Sequence, residues 1–286
     1  MRDDAGLLPK TLIDGQAAAP DWLADRACQF GDGLFETVAV VSGRPCLWRA
    51  HLARLAEGCR RLRLPAPDAG LLRREVSDLC RGQDRAVLKL LWSAGRSARG
   101  YRRPPAAQGQ RVLQLHPWAG PDYRRGWRVR LCSHRHGDNP TLAGIKHLNR
   151  LDQVLARAEW DQEHDEGIML DQSGQAVSGT MSNLFLQRGD ELLTPPVARA
   201  GIEGVVRALL IDCADQAGER VRIEPIGPAD LYAADGLYLS NSLIGVVRVA
   251  GFEDRDYDPA VPVPASVMLA RELCHRPDPE WGQPGA

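Results

Sequence analysis

Lysine is scarce in this sequence. The chain has 286 residues and 36 basic side chains, yet only Lys10, Lys89 and Lys146 are lysines and all the others are arginines. The formal net charge is −1. Because a chain without a charge excess creates no strong field toward nucleic acid or an anionic membrane, neither is expected as a partner.

Paired cysteines and long apolar runs are also missing. The seven cysteines are odd in number and scattered, and none form a C-x-x-C pair, which predicts free thiols in a reducing cytoplasm. No stretch approaches the roughly 20 apolar residues of a membrane span. The first ten residues, MRDDAGLLPK, lack the apolar core of a signal peptide. We therefore expect a cytoplasmic protein without a membrane segment.

Several motifs that mark common active sites are absent as well. The sequence has no G-x-S-x-G elbow, no Walker loop and no G-x-G-x-x-G fingerprint. His134 and His136 flank Arg135 on a polar turn, without the spacing of metal ligands. No metal site is predicted.

Apolar periodicity predicts alternating strands and helices along the chain. Strand-like runs in the first half lie at 34–43, 85–95 and 110–117, and amphipathic helical runs lie at 51–64, 71–82, 148–164, 203–218 and 265–276. In the run at 148–164, the apolar residues Leu148, Leu151, Val154, Leu155 and Ala158 share one helical face.

The stretch HPWAGPDY, at 116–123, divides these elements into two groups. We predict an α+β protein made of two α/β domains, a smaller one at 1–115 and a larger one at 124–286, with 116–123 as the linker. The polar, Gly- and Pro-rich segment RSARGYRRPPAAQG is a loop of a length that often carries function.

Lys146 is the strongest candidate for chemistry. It lies in TLAGIKHLNRLDQ, between the pair Gly144–Ile145 and a predicted helix. A lone lysine is most often a solvated charge, but arginine stays protonated near neutral pH whereas a partly buried lysine amine can lose its proton and react with an aldehyde. Lys89, in an apolar strand, is a weaker rival.

Three weaker patterns suggest an anion site. In ARAGIEGVVRALL a glycine opens a helix, whose first N–H groups bind phosphate well, although most such glycines only end a loop. Arg54 follows His51 by one turn and could reach a phosphate, although a solvated basic face is the simpler explanation. The polar triplet Ser240–Asn241–Ser242 interrupts a strand and could equally be an ordinary turn.

Four segments together carry a resemblance to a known family. RACQFGDGLFETVAVVSGRPCLWRAHLARL, LAGIKHLNRLDQVLARAE, SNLFLQRGDELLTPP with AGIEGVVR, and LSNSLIGVVRV are similar to the fold-type IV enzymes that depend on pyridoxal 5′-phosphate (PLP). AGIKHLNRL is the most specific piece and is most similar to the aminodeoxychorismate lyases. The resemblance covers about residues 10 to 275 and implies the fold of that family, with the larger C-terminal domain binding PLP.

The resemblance implies a cofactor role for several residues. Lys146 matches the lysine that carries PLP, and Arg54 matches the arginine that binds its phosphate. Ile202 and Glu203 match positions whose backbone N–H groups complete the phosphate cup. Ser242 matches a hydroxyl that also touches the phosphate.

The resemblance also implies residues on the substrate side. Arg99 and Tyr101 match a loop that meets substrate carboxylates, while Asn241 and Thr37 match positions that line the substrate. Thr37 or Lys146 would supply the proton as the product leaves.

One position departs from the family pattern. A glutamate normally lies five residues before the asparagine of N-L-F and hydrogen-bonds the pyridine nitrogen of PLP, but counting back from Asn183 gives Ser178. A neutral serine cannot hold that nitrogen protonated as a carboxylate would. The ring should then be a weaker electron sink, which lyase chemistry tolerates better than transamination because the lyase product gains an aromatic ring.

The implied activity is the PLP-dependent conversion of aminodeoxychorismate to 4-aminobenzoate and pyruvate, a step of folate biosynthesis, by a homodimer. Two alternatives remain at this point. One is a fold-type IV aminotransferase that acts on a D- or branched-chain amino acid. The other is a non-catalytic protein built on the same fold, which only the missing glutamate favours.

Overall fold

The computed structural model describes residues 23–97, 100–104 and 108–281, and the short strand pairs at 12–13 and 16–17. Its helices are α1 Arg26–Phe30, α2 Trp48–Leu62, α3 Ala69–Cys80, α4 Leu151–Arg157, α5 Val205–Ala217, α6 Pro228–Ala233 and α7 Ala265–Leu273. Its strands are β1 Leu12–Ile13, β2 Gln16–Ala17, β3 Gly33–Val41, β4 Arg44–Pro45, β5 Arg85–Ser93, β6 Gln110–Pro117, β7 Trp127–Leu131, β8 Glu166–Leu170, β9 Ala176–Gly179, β10 Asn183–Arg188, β11 Glu191–Thr194, β12 Arg220–Ile223, β13 Gly236–Asn241, β14 Gly245–Phe252 and β15 Arg255–Asp256.

The N-terminal half forms an antiparallel sheet in the order β4-β3-β5-β6. Its apolar face packs against α2 and α3, with Leu34, Leu55 and Val76 almost fully buried. Asp68 caps α3 by accepting from the Leu71 N–H at 2.8 Å. Because successive strand residues point to opposite faces, β3 sends Leu34 and Glu36 inward to the helices and leaves Phe35 and Thr37 on the other side.

The C-terminal half is a mixed sheet in the order β12-β11-β10-β13-β14-β7-β8-β9, with β15 paired to β14. One face packs against α5 and α7 through residues that include Phe185, Leu210 and Val267. The other face packs against α6 through residues that include Leu184 and Leu231. These two layers of core explain why the strands of this sheet are apolar along nearly their whole length.

Along the sequence, the strands of the first sheet end near the start of the predicted linker, and those of the second sheet begin after it. Strand β6 continues to Pro117, so the first two residues of the stretch 116–123 belong to the strand. The next strand begins at Trp127.

Helix α4 is much shorter than the sequence predicted. The expected helix at 148–164 contracts to Leu151–Arg157, because the backbone turns after Ala158 and Arg157 Nη1 donates to the Trp160 carbonyl at 2.5 Å. The face that Leu151, Val154 and Leu155 share is 54–75% exposed rather than buried in the chain.

Two features of the described residues bear on function. None of their helices has the length and apolar character needed to cross a bilayer. Within the same residues, no three histidine, cysteine or acidic side chains come together as metal ligands would.

Candidate active site

A cavity of about 340 Å³ lies where the two sheets meet. Both halves of the chain line it, and the residues that matter below are Phe35, Thr37, Arg54, Lys146, Arg150, Gln153, Ser178, Met181, Ile202, Gly204, Val205, Ser240, Asn241 and Ser242. The structure thus brings together residues that are more than 200 positions apart in sequence.

Lys146 lies on the cavity wall in a segment held from both sides. On one side the Phe35 N–H donates to the Lys146 carbonyl at 3.1 Å, next to a bridge between Leu34 and His147. On the other side Gly144 pairs with Ile202. The Lys146 ammonium position is 4.2 Å from the centre of the Phe35 ring. The backbone is fixed, and the amine reaches into the cavity.

The Lys146 amine loses its proton far more easily than an ordinary lysine. Burial is the main cause, and the nearby guanidinium of Arg54 adds to it, while Glu36 opposes it; together they lower the pKa of Lys146 to about 7. At neutral pH a large fraction of this amine is therefore an uncharged nucleophile or base, as the sequence argument required.

Arg54 is aimed at the cavity by a buried acid that sequence reasoning missed. Glu36 accepts from Arg54 Nε at 2.9 Å and from Nη2 at 2.5 Å, and its second partner is His51 Nδ1 at 2.6 Å. The Arg54 charge lowers the pKa of Glu36 to about 2 despite complete burial. Arg54 Nη1 donates to the Glu203 carbonyl at 3.0 Å, which joins α2 to the entry of α5.

The start of α5 supplies backbone donors, but not all of those predicted. Gly204 precedes the helix and has no side chain to accept from its first turn, so the first N–H groups lack a protein cap. Gly204 and Val205 line the cavity, as does Ile202. A Cβ at Gly204 would lie 1.9 Å from Asn183 Oδ1, so only glycine permits this close approach.

The prediction for Glu203 needs correction. Its N–H donates to the Gly144 carbonyl at 3.0 Å, and it does not line the cavity. In a parallel pairing, alternate residues direct their backbone groups to opposite sides. The Ile202 N–H therefore faces away from Gly144, and Ile202 with the α5 start, rather than Glu203, has backbone N–H groups free for the predicted role.

Ser178 lies in the cavity wall and is backed by a histidine. Its hydroxyl donates to the Gly179 carbonyl at 2.8 Å and lies 3.3 Å from Nε2 of the buried His136. The sequence treated His136 only as a rejected metal ligand. Its position behind Ser178 depends on packing between segments 42 residues apart, which no local pattern indicates.

Ser242, Asn241 and Thr37 all reach the cavity. Ser242 Oγ donates to the Thr37 carbonyl at 2.5 Å and so ties the two halves together. Asn241 Oδ1 accepts from the N–H groups of Leu243 and Ile244, and its amide donates to the Met181 carbonyl. The Asn241 side chain thus bonds mainly to backbone groups at the rim of the cavity.

A second buried acid, Glu166, holds the loop that carries the cavity wall from 179 to 182. It accepts from the Thr180 N–H at 3.0 Å, from Thr180 Oγ1 at 2.5 Å, from the Met181 N–H at 3.1 Å and from Ser182 Oγ at 2.9 Å. Gly179 belongs to this arrangement, because a Cβ there would lie 2.8 Å from Glu166.

Tyr101, which was predicted to meet substrate, does not line this cavity within one chain. Arg99 lies outside the described residues. Tyr101 is 85% exposed, and its ring packs on Phe30 with centroids 5.3 Å apart.

The ionisable side chains that line the cavity are basic. Arg54, Lys146 and Arg150 line it, while no aspartate or glutamate does so among the residues that the structure describes. Two buried polar atoms of this wall, Arg150 Nε and Ser240 Oγ, have no hydrogen-bond partner in the described part of the chain. Such a wall suits a ligand that carries several negative charges.

Comparison with protein families gives a match over residues 33–252 to the amino-transferase class IV model. The chain belongs to the class IV aminotransferase family. The match includes every element that lines the cavity. The family and the fold-type IV architecture predicted from the sequence are confirmed.

Individual class IV proteins narrow the comparison. An aminodeoxychorismate lyase of Vibrio harveyi is 32% identical over 235 residues, which cover 80% of this chain and 86% of that protein. The solved 4-amino-4-deoxychorismate lyase of Pseudomonas aeruginosa is 40% identical, with a TM-score of 0.81 and coverage of 91% of this chain and 95% of that one. A hypothetical aminotransferase of Mycobacterium tuberculosis, solved in a PLP-bound form, is 25% identical, with a TM-score of 0.73 and coverage of 91% and 95%.

Proposed function

We propose that this protein is an aminodeoxychorismate lyase, which converts 4-amino-4-deoxychorismate to 4-aminobenzoate and pyruvate with PLP. The observation that carries the proposal is the Lys146 amine, with a pKa near 7, in a cavity lined by two arginines and by no described acid. The similarity to the lyases of Vibrio harveyi and Pseudomonas aeruginosa supports the choice of reaction.

The cavity residues fit PLP. Lys146 is the amine that its aldehyde requires, and the uncapped start of α5 with Arg54 is suited to its phosphate. Ser242 lies beside the same wall and would add a hydroxyl. Ser240 Oγ, which is buried and has no hydrogen-bond partner among the residues that the structure describes, is the kind of atom that a bound ligand satisfies.

When bound, PLP supplies an electron sink for the negative charge that develops next to the substrate nitrogen. The chain supplies the proton transfers. Lys146 Nζ, in its uncharged form, takes the proton from C4 of the substrate, and either Lys146 or the hydroxyl of Thr37 returns a proton as pyruvate leaves. The position of Thr37 on the cavity side of β3 supports this role.

The positive wall accounts for the substrate class. Aminodeoxychorismate carries two carboxylates, and PLP adds a phosphate, so a cavity lined by Arg54 and Arg150 and by no described acid suits this negative charge. Arg150 is the cation left over once Lys146 and Arg54 are assigned to PLP. Asn241 shapes the substrate side by holding the rim.

We also propose that the protein works as a cytoplasmic homodimer. The exposed apolar face of α4 begins directly after Arg150 of the cavity wall, and covering such a face is a common reason for self-association. Because Tyr101 does not line the cavity of its own chain, a contact between Tyr101 and substrate would come from a second copy. Seven free thiols suit a reducing compartment.

The decisive experiment measures pyruvate and 4-aminobenzoate from aminodeoxychorismate with purified protein and PLP. Lys146→Arg should lose activity by at least about a thousandfold together with the visible absorbance of bound PLP, since guanidinium cannot deprotonate. Lys89→Arg is the matched control and should keep both. Pyruvate release by Lys146→Arg at the wild-type rate would refute the assignment.

An aminotransferase that acts on D- or branched-chain amino acids is the second candidate. A putative branched-chain-amino-acid aminotransferase of Methanocaldococcus jannaschii is 28% identical over 81% of the chain, and this similarity supports the second candidate. Transamination of D-alanine and of leucine, measured beside pyruvate release, separates the two. Transamination faster than pyruvate release would replace the lyase proposal.

A further inference from the structure

The buried His136 lies between two polar side chains of the cavity wall, Ser178 and Gln153. His136 is 3% exposed, and its two ring nitrogens contact different partners: Nε2 lies 3.3 Å from Ser178 Oγ, and Nδ1 lies 3.4 Å from Gln153 Nε2. Ser178 and Gln153 line the cavity, whereas His136 lies behind them. The three side chains form a continuous path along this wall.

The backbone fixes His136 in place. Its N–H donates to the Leu170 carbonyl at 2.8 Å, and its carbonyl accepts from Gln172 Nε2 at 2.8 Å. The main chain of His136 is therefore attached to the end of β8, and its ring starts from a fixed position behind Ser178.

Donor and acceptor roles along the path follow from chemistry. An amide nitrogen such as Gln153 Nε2 only donates, so His136 Nδ1 must accept. A neutral imidazole has one N–H, which is then on Nε2 and donates to Ser178 Oγ. Burial, aided by the charges of Arg150 and His134 and opposed by Asp152 and Asp171, lowers the pKa of His136 to about 4, so the ring is neutral at physiological pH.

With one lone pair of Ser178 Oγ occupied by the His136 N–H, the hydroxyl can still donate its own hydrogen. In the structure this hydrogen goes to the Gly179 carbonyl at 2.8 Å, an acceptor on the neighbouring residue. A rotation about one bond would turn it to the cavity. Turned in this way, the Ser178 hydroxyl presents a donor to the cavity, whereas a carboxylate in the same place can only accept.

We infer that His136 and Gln153 set Ser178 as a hydrogen-bond donor, so that this wall binds an unprotonated ring nitrogen rather than a pyridinium. The inference rests on the proposed use of PLP and on the placement of its ring nitrogen beside Ser178. His136 is a positioning residue here, since it acts through the serine. The missing glutamate is thus replaced by a path of opposite hydrogen-bond polarity.

Equilibrium binding to the apoprotein tests the inference without any turnover. The probes are PLP and its N-methyl analogue, whose ring nitrogen carries a fixed positive charge and cannot accept a hydrogen bond. The wild type should bind PLP at least ten times more tightly than the analogue. Ser178→Ala should lose most of that preference, and Ser178→Glu should reverse it.

His136→Phe, which keeps a ring but removes both nitrogens, should reduce the preference at least threefold. His134→Phe is the matched control, because His134 contacts Asp152 and not Ser178, and it should leave the preference unchanged. Equal preferences in the wild type and in both Ser178→Ala and His136→Phe would overturn the inference.

Nitrogen-15 NMR of ring-labelled PLP in the wild-type holoprotein gives a second measurement that does not depend on the variants folding. The resonance at neutral pH should have the shift of an unprotonated pyridine and should move toward pyridinium in Ser178→Glu. A pyridinium shift in an active wild-type enzyme overturns this inference alone, whereas failure to bind PLP overturns the proposed function as well.

Discussion

Lys146 shows how one side chain acquires its chemistry from its surroundings. The chain places almost all of its positive charge on arginine and keeps a lysine where an amine must lose its proton. Burial and the Arg54 guanidinium lower the pKa of Lys146 to about 7, and Glu36 keeps it from falling further. The reactivity is therefore a property of three residues rather than one.

The lowered pKa of Lys146 predicts a pH-dependent stability of the apoprotein. Its pKa is about 7 when folded against 10.5 for an ordinary lysine, so the unfolded chain binds more protons between these values. Stability relative to Lys146→Met should then rise with pH from 7 to 10.5, by at most about 1.4 kcal/mol per unit. Urea unfolding of both proteins across this range measures it. A constant difference would contradict the lowered pKa.

Glu36 gives a second prediction, because it holds Arg54 and tunes Lys146. Glu36→Gln removes the charge behind Arg54, so PLP should bind about tenfold more weakly, which corresponds to about 1.4 kcal/mol. The pKa of Lys146 should fall further, as seen by NMR of labelled lysine. Glu57→Gln, at an exposed acid that pairs with Arg60 on the helix that also carries Arg54, is the control and should change neither. Unchanged affinity and pKa in Glu36→Gln would contradict the role.

At this scale the sequence predicted the residues that have a local motif. Lys146 and Arg54 were found because their segments are distinctive, and the structure places both on the cavity wall. Glu36 could have been noticed as an acid in the apolar run LFETVAVV. Glu166 and His136 could not, because their contacts join segments distant in sequence.

At the scale of single elements, the start of α5 matters most. The helix begins where Gly204 passes closely under Asn183, whose Nδ2 donates to the Ile202 carbonyl at 2.9 Å. The sequence predicted an anion site from the glycines and the helical run alone. The sequence could not show that the Glu203 N–H would donate to the Gly144 carbonyl, because that hydrogen bond joins segments that meet only in the folded chain.

Gly204→Ala tests this helix start. The added Cβ would displace Asn183, so PLP affinity should fall at least tenfold and stability by about 1–3 kcal/mol. Gly227→Ala, which changes the residue before α6, is the control, since its Cβ would meet no atom closer than 3.6 Å. Fluorescence titration with PLP measures the affinities. Similar values for the two variants would show that Asn183 is not wedged against Gly204.

The main error in predicting elements was the length of α4. Its apolar spacing continues beyond Arg157, but Trp160 is buried and its Nε1 donates to the His164 carbonyl, which requires a turn rather than more helix. The same spacing led to the expectation of one shared face, and that face is exposed. Apolar periodicity predicts which residues share one face of a helix, but it does not predict whether another part of the protein covers that face.

At the scale of the whole molecule, the exposed face of α4 predicts a measurable association. Leu155→Glu should convert the proposed dimer to a monomer in light scattering at micromolar concentration, because a charge placed in an apolar interface is costly to bury. Leu79→Glu, at an exposed leucine on α3, is the control and should stay dimeric. A monomeric wild type would refute the proposed homodimer.

The two-sided attachment of Lys146 has a consequence for repeated turnover. Gly144 is bridged to the α5 entry and His147 to β3, so the backbone at Lys146 is a fixed pivot and only the side chain can swing. If the amine gives up its ligand to the substrate and must recover it, the recovery is a rotation of a short tethered arm, not a search through solution. The intramolecular return is fast and always starts from the same point, which lets the site reset itself.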